Sequence, residues 1–283
     1  MPLIPFGLKR RIEGEYARRI GRIFMLINKA VAGLSYEDAA KKILQMLETP
    51  DFKAMVDYAV LNMVTMVKSD NEKTWRQAAA KGSYGRILSA GLKDNMSQKG
   101  MASAVRQILM DNAYLIRSVP IDVAKRMTDR IYQDYLEGKR GAVITRYVKS
   151  EALMLTMKRA KLIARTEASK ANAAMTEVRS RDMGADWYIW RSSKDERVRS
   201  SHRFMEGVFV PWDYSPNPEA LSGEKDRFGR YHAGCCPNCR CYAEPLIDES
   251  QVAVKVRVFR NGGITVMGRN QFLRMIGKRQ VVA

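Results

Sequence analysis

Four cysteines and two histidines are the residues of this sequence whose types and spacing could do chemistry. All four cysteines lie within a seven-residue run, as Cys235, Cys236, Cys239 and Cys241. Thiols so close in sequence cannot cross-link distant parts of a fold, but they can bind one metal ion or react as a redox pair. The Cys-x-x-Cys spacing of Cys236 and Cys239 is typical of structural zinc sites.

Zinc in structural sites takes four ligands, so three thiolates leave one position to fill. The predicted ligands are Cys236, Cys239, Cys241 and His202. His232, the second of the two histidines, and Cys235 are alternates for the fourth position. Two other interpretations remain: reduced cysteines in a buried turn, or a redox Cys-x-x-Cys pair that lacks the strand-then-helix context known to lower a thiol pKa.

Common catalytic motifs are absent from the rest of the sequence. A Ser-His-Asp relay would have to use a histidine beside the cysteines. The sequence has no Walker phosphate-binding loop, no Gly-x-Gly-x-x-Gly dinucleotide motif and no cluster of carboxylates for two-metal chemistry. We therefore predict that the protein is not an enzyme.

A carboxylate on an apolar helix face is the second candidate site. Helical spacing places Glu167 on one stripe with Ile163 and Ala171. A carboxylate on the packed side of a helix needs a cationic partner or several hydrogen-bond donors. We predict that Arg199 pairs with Glu167, either as a buried ion pair between helix and sheet or within a polar pocket.

The elements that position these residues change character at Gly184. Before it, apolar residues recur at helical spacing; after it, short strand-like segments occur at 187–191, 208–211 and 252–258. We predict an α+β fold, in which a mostly helical N-terminal region precedes a small α+β subdomain with short strands and a Cys-rich loop. The predicted segments are a helical region over 1–110, a further helical part with the long helix over 111–185, the Cys-rich subdomain over 186–250, and a basic hairpin or tail over 251–283.

Three local predictions follow from residue type. Ser35 is expected to cap a helix. Pro120 is expected to separate helices at 104–118 and 121–137. The sequence Asn261-Gly-Gly is expected to turn one strand back onto another as a hairpin.

Positive charge is the strongest bulk property of the chain, with a formal net charge of +19. It concentrates in the first thirty residues and in the last 33, where seven basic residues stand with no acidic one. Such a charge attracts polyanions, chiefly nucleic acid or an acidic protein surface. The predicted DNA contacts are Lys9, Arg10, Arg11, Arg18, Arg19, Arg22, Lys255, Arg257, Arg260, Arg274, Lys278 and Arg279. No stretch reaches the roughly 20 apolar residues of a membrane span, so we expect a soluble protein made in a reducing compartment.

Three segments in a fixed order carry a family resemblance. They are Ile-Ala-Arg-Thr-Glu at 163–167, Trp-Tyr-Ile-Trp-Arg through His at 187–202, and Asn-Cys-Arg-Cys at 238–241. This set resembles the Mu F-like head morphogenesis domain, found in minor head proteins of tailed bacteriophages, over about residues 112–245.

The resemblance implies a structural protein of low copy number in the virion head, at the portal vertex, present in the host cytoplasm during assembly. Its implied partners are the portal protein, major capsid or scaffold proteins, and packaged double-stranded DNA. Two other functions stay open: a metal-dependent nuclease or toxin-type enzyme built on the Cys/His cluster, and a stand-alone basic DNA-binding protein.

Overall fold

The computed structural model describes residues 6–81, 98–138 and 155–277. The chain forms two compact units. We call them the helical unit, made of Arg10–Thr65 and Gln107–Arg165, and the sheet unit, made of Met1–Lys9, Met66–Arg106 and Thr166–Ala283. The predicted α+β fold, with helices first and a small sheet after them, is confirmed.

Long helices make up the described part of the chain before the sheet. They are α1 (Arg10–Val31), α2 (Tyr36–Glu48), α3 (Pro50–Lys81), α4 (Gln98–Leu136) and α5 (Met157–Asp182). Apolar residues at helical spacing bury one face of α1, including Tyr16, Ile20 and Phe24. Ser35 caps α2 as predicted, because its hydroxyl accepts a hydrogen bond from the Asp38 amide.

The predicted break at Pro120 is wrong, since α4 continues through it. A proline inside a helix removes one backbone hydrogen bond and crowds the preceding turn. Ile116, Val119 and Val123, on either side of it, are fully or almost fully buried. Burial of this apolar stripe offsets the local cost, so packing overrides the preference of one residue.

A buried amide network joins α3 to α5 within the sheet unit. Asn71 donates to Asn172 Oδ1 at 3.0 Å and to Thr176 Oγ1 at 2.8 Å. Asn172 in turn donates to the carbonyl of Phe6 at 2.8 Å. Since buried amides are costly unless bonded, these contacts fix the register between the two helices in this unit.

Five short strands form one sheet in the sheet unit. They are β1 (Trp187–Arg191), β2 (Val208–Pro211), β3 (Tyr242–Pro245), β4 (Lys255–Arg260) and β5 (Gly263–Gly268), in the order β3-β1-β2-β4-β5. Only the β2–β4 pair is parallel. Short helices lie between and after the strands: α6 (Ser200–Phe204), α7 (Pro218–Leu221), a 3₁₀ turn (Glu249–Gln251) and α8 (Arg269–Ile276).

The two faces of the sheet bury separate apolar cores. One face carries Tyr188 and Trp190 of β1 with Val208 and Val210 of β2, and three of the cysteines pack there. The other face carries Ile189 and Phe209, which pack with Phe272 and Ile276 of α8. Alternation along the strands sends successive side chains to opposite faces, so the sequence Trp-Tyr-Ile-Trp serves both cores.

The predicted hairpin at Asn261 is confirmed. Arg260 pairs with Gly263, which leaves a two-residue loop in which φ is 51° at Asn261 and 78° at Gly262. Positive φ at both positions is the requirement of the type I′ turn favoured in hairpins.

Replacing Gly262 with alanine should lower the free energy of unfolding by about 1 kcal/mol, because a side chain there must adopt the left-handed conformation. Gly263→Ala is the matched control, since neither position has an atom within 4 Å of the added methyl group and only Gly262 has positive φ. Urea unfolding measures both variants. Equal losses in the two would contradict a conformational cause.

Candidate metal centre

His202, Cys239 and Cys241 form a group that could hold a metal ion. His202 Nδ1 lies 3.4 Å from Cys239 Sγ and 3.4 Å from Cys241 Sγ. The ligand atoms of the three residues all lie within 4.8 Å of one another, and the three residues are between 2% and 4% exposed. The structure thus brings together residues that are 37 and 39 positions apart.

A tight turn shapes the cysteine end of this group. The Cys239 amide donates to the Cys236 carbonyl at 3.1 Å, with Pro237 and Asn238 between them. Asn238 has a φ of 58°, as position i+2 of a type II turn requires, and proline is common at i+1. The Asn238 amide also donates to Thr166 Oγ1 at 3.0 Å, which ties the turn to α5 within the sheet unit.

Hydrogen bonds to sulfur show where negative charge is stabilised. The Cys241 amide donates to Cys239 Sγ at 3.2 Å. Arg199 donates from Nη1 to Cys236 Sγ at 3.0 Å and from Nη2 to the Pro237 carbonyl at 2.8 Å. Cys236 is 1% exposed and belongs to the same apolar core as Cys239 and Cys241. The thiolate is the form of cysteine that binds metals.

Burial and neighbouring groups shift three pKa values at the site. Burial lowers the pKa of His202, but the nearby Cys236 and Cys239 sulfurs outweigh it and raise the value to about 9. A hydrogen bond with Cys241 lowers the pKa of Cys239 to about 4. Burial opposes this shift, and His202 reinforces it. The same hydrogen bond, with burial, raises the pKa of Cys241.

A buried carboxylate and a tyrosine lie behind the histidine. His202 Nε2 is 2.9 Å from the Tyr231 hydroxyl, and that hydroxyl donates to both carboxylate oxygens of Glu219, at 2.8 and 2.9 Å. Because the hydroxyl hydrogen points at Glu219, its oxygen accepts a hydrogen from His202 Nε2. This arrangement leaves Nδ1 directed at the two sulfur atoms.

Glu219 and Tyr231 are not among the site residues that the sequence predicts. Segment 211–231 contains α7, which begins at Pro218 after the N-cap Asn217. Asn followed by Pro is a typical helix start, and it could have placed Glu219 in a first turn. Nothing in the sequence indicates that this carboxylate is buried beside His202.

The predicted ligand Cys236 and the two alternates, His232 and Cys235, lie outside the three-residue group. His232 Nδ1 is 3.1 Å from the Tyr188 hydroxyl, and its ring packs against Trp212. Burial lowers the pKa of His232. Cys235 is partly exposed, and burial of its thiol raises its pKa to about 12.

The Glu167 and Arg199 side chains have other partners than each other. Glu167 is 8% exposed and accepts a hydrogen bond from Lys170 at 2.9 Å. Arg199 donates to the cysteine turn, as described above, and its guanidinium lies 5.0 Å from the centre of the Phe228 ring.

The predicted DNA-contact residues fall into two sets. Arg10, Arg11, Arg18 and Arg22 are exposed along α1 in the helical unit. Arg18 and Arg19 pair with Glu15, and in the sheet unit Lys9 pairs with Asp70. Of the C-terminal set, Lys255, Arg260 and Arg274 are exposed and Arg257 is half-buried. Lys278 and Arg279 lie outside the described residues.

Besides Arg199, two further arginines of the sheet unit stack on aromatic rings. Arg257 lies 4.8 Å from the centre of the Phe204 ring, and Arg230 lies 4.4 Å from that of Tyr214. Tyr214 itself stacks on Phe259 of β4. Arg257 lies two residues before Phe259, so the two side chains project from the same face of the strand. We call Phe204, Tyr214, Arg230 and Arg257 the Arg–aromatic face. Arg230 was not predicted as a contact residue.

Comparison with known proteins confirms the resemblance inferred from the three segments. The family model described as Phage Mu protein F like protein matches residues 123–244, which include His202 and all four cysteines. Over these residues the chain is similar to that family.

An uncharacterised protein of Haemophilus influenzae is 29% identical over 246 residues, which cover 86% of this chain and 51% of that protein. The chain therefore spans about half the length of this relative. No solved structure matches the chain. Among the residues that the structure describes, no helix is long and apolar enough to cross a membrane.

Proposed function

We propose that the protein is a minor head protein of a tailed phage, with a structural role in head assembly at the portal vertex. The match of residues 123–244 to the Mu F-like family carries this proposal. Mass spectrometry of purified particles tests it. We expect the protein in mature heads at a copy number well below that of the major capsid protein, and its absence from heads at all assembly stages would contradict the proposal.

The helical unit is the proposed docking region for the portal or another head protein. Four large side chains of α4, Met110, Tyr114, Tyr132 and Tyr135, are each more exposed than buried, Tyr135 at 77%. Large exposed apolar side chains that recur on one helix are typical of interaction surfaces.

The docking proposal predicts that Met110→Ser/Tyr114→Ser abolishes co-elution with portal oligomers in size-exclusion chromatography. The matched control is Val254→Ser/Val266→Ser, which removes two exposed apolar side chains from the sheet unit, at 82% and 63% exposure. Loss of co-elution in the control alone would place the docking surface on the sheet unit instead.

Packaged DNA is the second proposed partner. The positive charge of the chain, the exposed α1 arginines and the Arg–aromatic face support this contact. Each guanidinium group covers one face of the aromatic ring beneath it, so that face offers no surface on which a base could stack. The N–H edges of the guanidinium groups are available to phosphates. This favours backbone contact without sequence preference.

We also propose that the Cys/His group binds a structural metal ion. Catalytic zinc sites keep one position open to water, whereas structural sites are closed. The candidate ligands here are buried under an apolar core, which supports a closed site over a nuclease centre. Purified protein incubated with DNA and divalent cations should show no cleavage, and cleavage that His202→Ala abolishes without unfolding would support the enzyme alternative.

A further inference from the structure

We propose that the ion is zinc, that Cys236 is its fourth ligand, and that Glu219 and Tyr231 hold His202 in the tautomer that coordinates through Nδ1. This inference rests on the proposed structural metal site and names its ion, its full ligand set and the groups that orient it. The ligand set is Cys236, Cys239, Cys241 and His202.

The spacing of the donor atoms fits zinc. Zn–S bonds of about 2.3 Å and Zn–N bonds of about 2.0 Å in a tetrahedron set nitrogen and sulfur ~3.5 Å apart. His202 Nδ1 is 3.4 Å from both Cys239 Sγ and Cys241 Sγ, so one tetrahedral ion accommodates these donors with little movement. Thiolates with an imidazole are a donor set that zinc prefers over calcium or magnesium.

Cys236 is favoured over Cys235 as the fourth ligand for two reasons. It precedes Cys239 by three residues, the spacing of Cys-x-x-Cys zinc ligands, and the Cys239 amide closes the turn between them. Arg199 donates to its sulfur. Three thiolates on a divalent cation leave a net charge of −1, and this guanidinium neutralises it.

The Glu219–Tyr231–His202 chain determines which histidine nitrogen faces the cysteines. Glu219 is 3% exposed, Tyr231 8% and His202 2%, so each of these polar groups needs its partner. Glu219 accepts the tyrosine hydrogen, and the tyrosine oxygen then accepts the hydrogen of His202 Nε2. A metal-bound histidine typically has its other ring nitrogen oriented in this way.

Cobalt-substituted full-length protein tests the ligand set. The intensity of the thiolate-to-cobalt absorption scales with the number of coordinated sulfurs. Cys236→Ser should lower it by about one third, and the matched control Cys235→Ser should leave it unchanged. The reverse result would make Cys235 the ligand, and equal intensities in both variants and the parent would overturn the assignment of Cys236.

Zinc affinity, measured by competition with a chromophoric chelator, tests the orienting groups. Loss of outer-shell partners weakens metal binding by about 10- to 100-fold, and we expect this range for Tyr231→Phe and Glu219→Gln. Glu219→Asp, which keeps a carboxylate, should regain part of the loss. If the zinc affinity is unchanged in both Tyr231→Phe and Glu219→Gln, the orienting role is overturned but the metal site is not.

Protein that binds neither zinc nor cobalt, or that carries a Cys–Cys disulfide by mass, overturns the metal site itself.

Discussion

Removing the proposed zinc ion with a chelator should lower the melting temperature of the sheet unit by roughly 10 °C. A ligand that binds only the folded state stabilises it by about 4 kcal/mol when present at a thousand times its dissociation constant. For a chain of this size, each kcal/mol shifts the melting temperature by about 2–4 °C. The loss is expected to be local, because Cys236, Cys239 and Cys241 pack with Tyr188 and Trp190 in one core.

Tryptophan fluorescence is the appropriate measurement, because all four tryptophans belong to the sheet unit: Trp75, Trp187, Trp190 and Trp212. Cys239→Ser is the control, since a protein that has already lost a central ligand should not respond to the chelator. A melting curve that the chelator leaves unchanged in the parent protein would show that the cysteines do not bind a stabilising ion. A response of equal size in Cys239→Ser would show a non-specific effect of the chelator.

Replacing Arg230, Arg257 and Arg260 with glutamine should weaken binding to duplex DNA on the order of 100-fold near physiological salt. Each phosphate contact contributes about 0.9 to the slope of log K against log salt. Loss of three contacts should therefore reduce the slope by about 2.7. Arg230 and Arg257 hold their guanidinium groups over Tyr214 and Phe204, and Arg260 is exposed at the end of β4.

Fluorescence anisotropy over a range of salt concentrations measures both quantities. Arg10→Gln/Arg11→Gln/Arg22→Gln removes the same charge from α1, so this charge-matched control shows whether the α1 arginines share the contact. If only this control loses affinity, DNA contacts the helical unit and not the Arg–aromatic face. If the parent binds duplex DNA weakly at low salt and polyglutamate equally well, the positive charge serves electrostatic attraction to any polyanion rather than a DNA contact.

The sequence predicted the fold class and several local features, because these depend on short-range chemistry. Ser35 caps α2 through its own hydroxyl, and Asn261 with Gly262 satisfies a turn that needs positive φ. The strand at 187–191 follows from its aromatic and β-branched residues. Pro120 shows the limit of this reasoning: burial of neighbouring side chains kept the helix continuous where the isolated residue favours a break.

For the candidate site, the sequence alone determined the types of the candidate ligands and the short spacing of the cysteines, because a Cys-Pro-Asn-Cys turn is closed by its own backbone. It also predicted His202 as a ligand from the small number of histidines. Only the tertiary structure decided which groups surround them. Arg199 bonds to Cys236 rather than to a helix carboxylate, and Glu219 reaches His202 through Tyr231. Such contacts join residues far apart in sequence, and their burial depends on how the sheet packs, which no local pattern encodes.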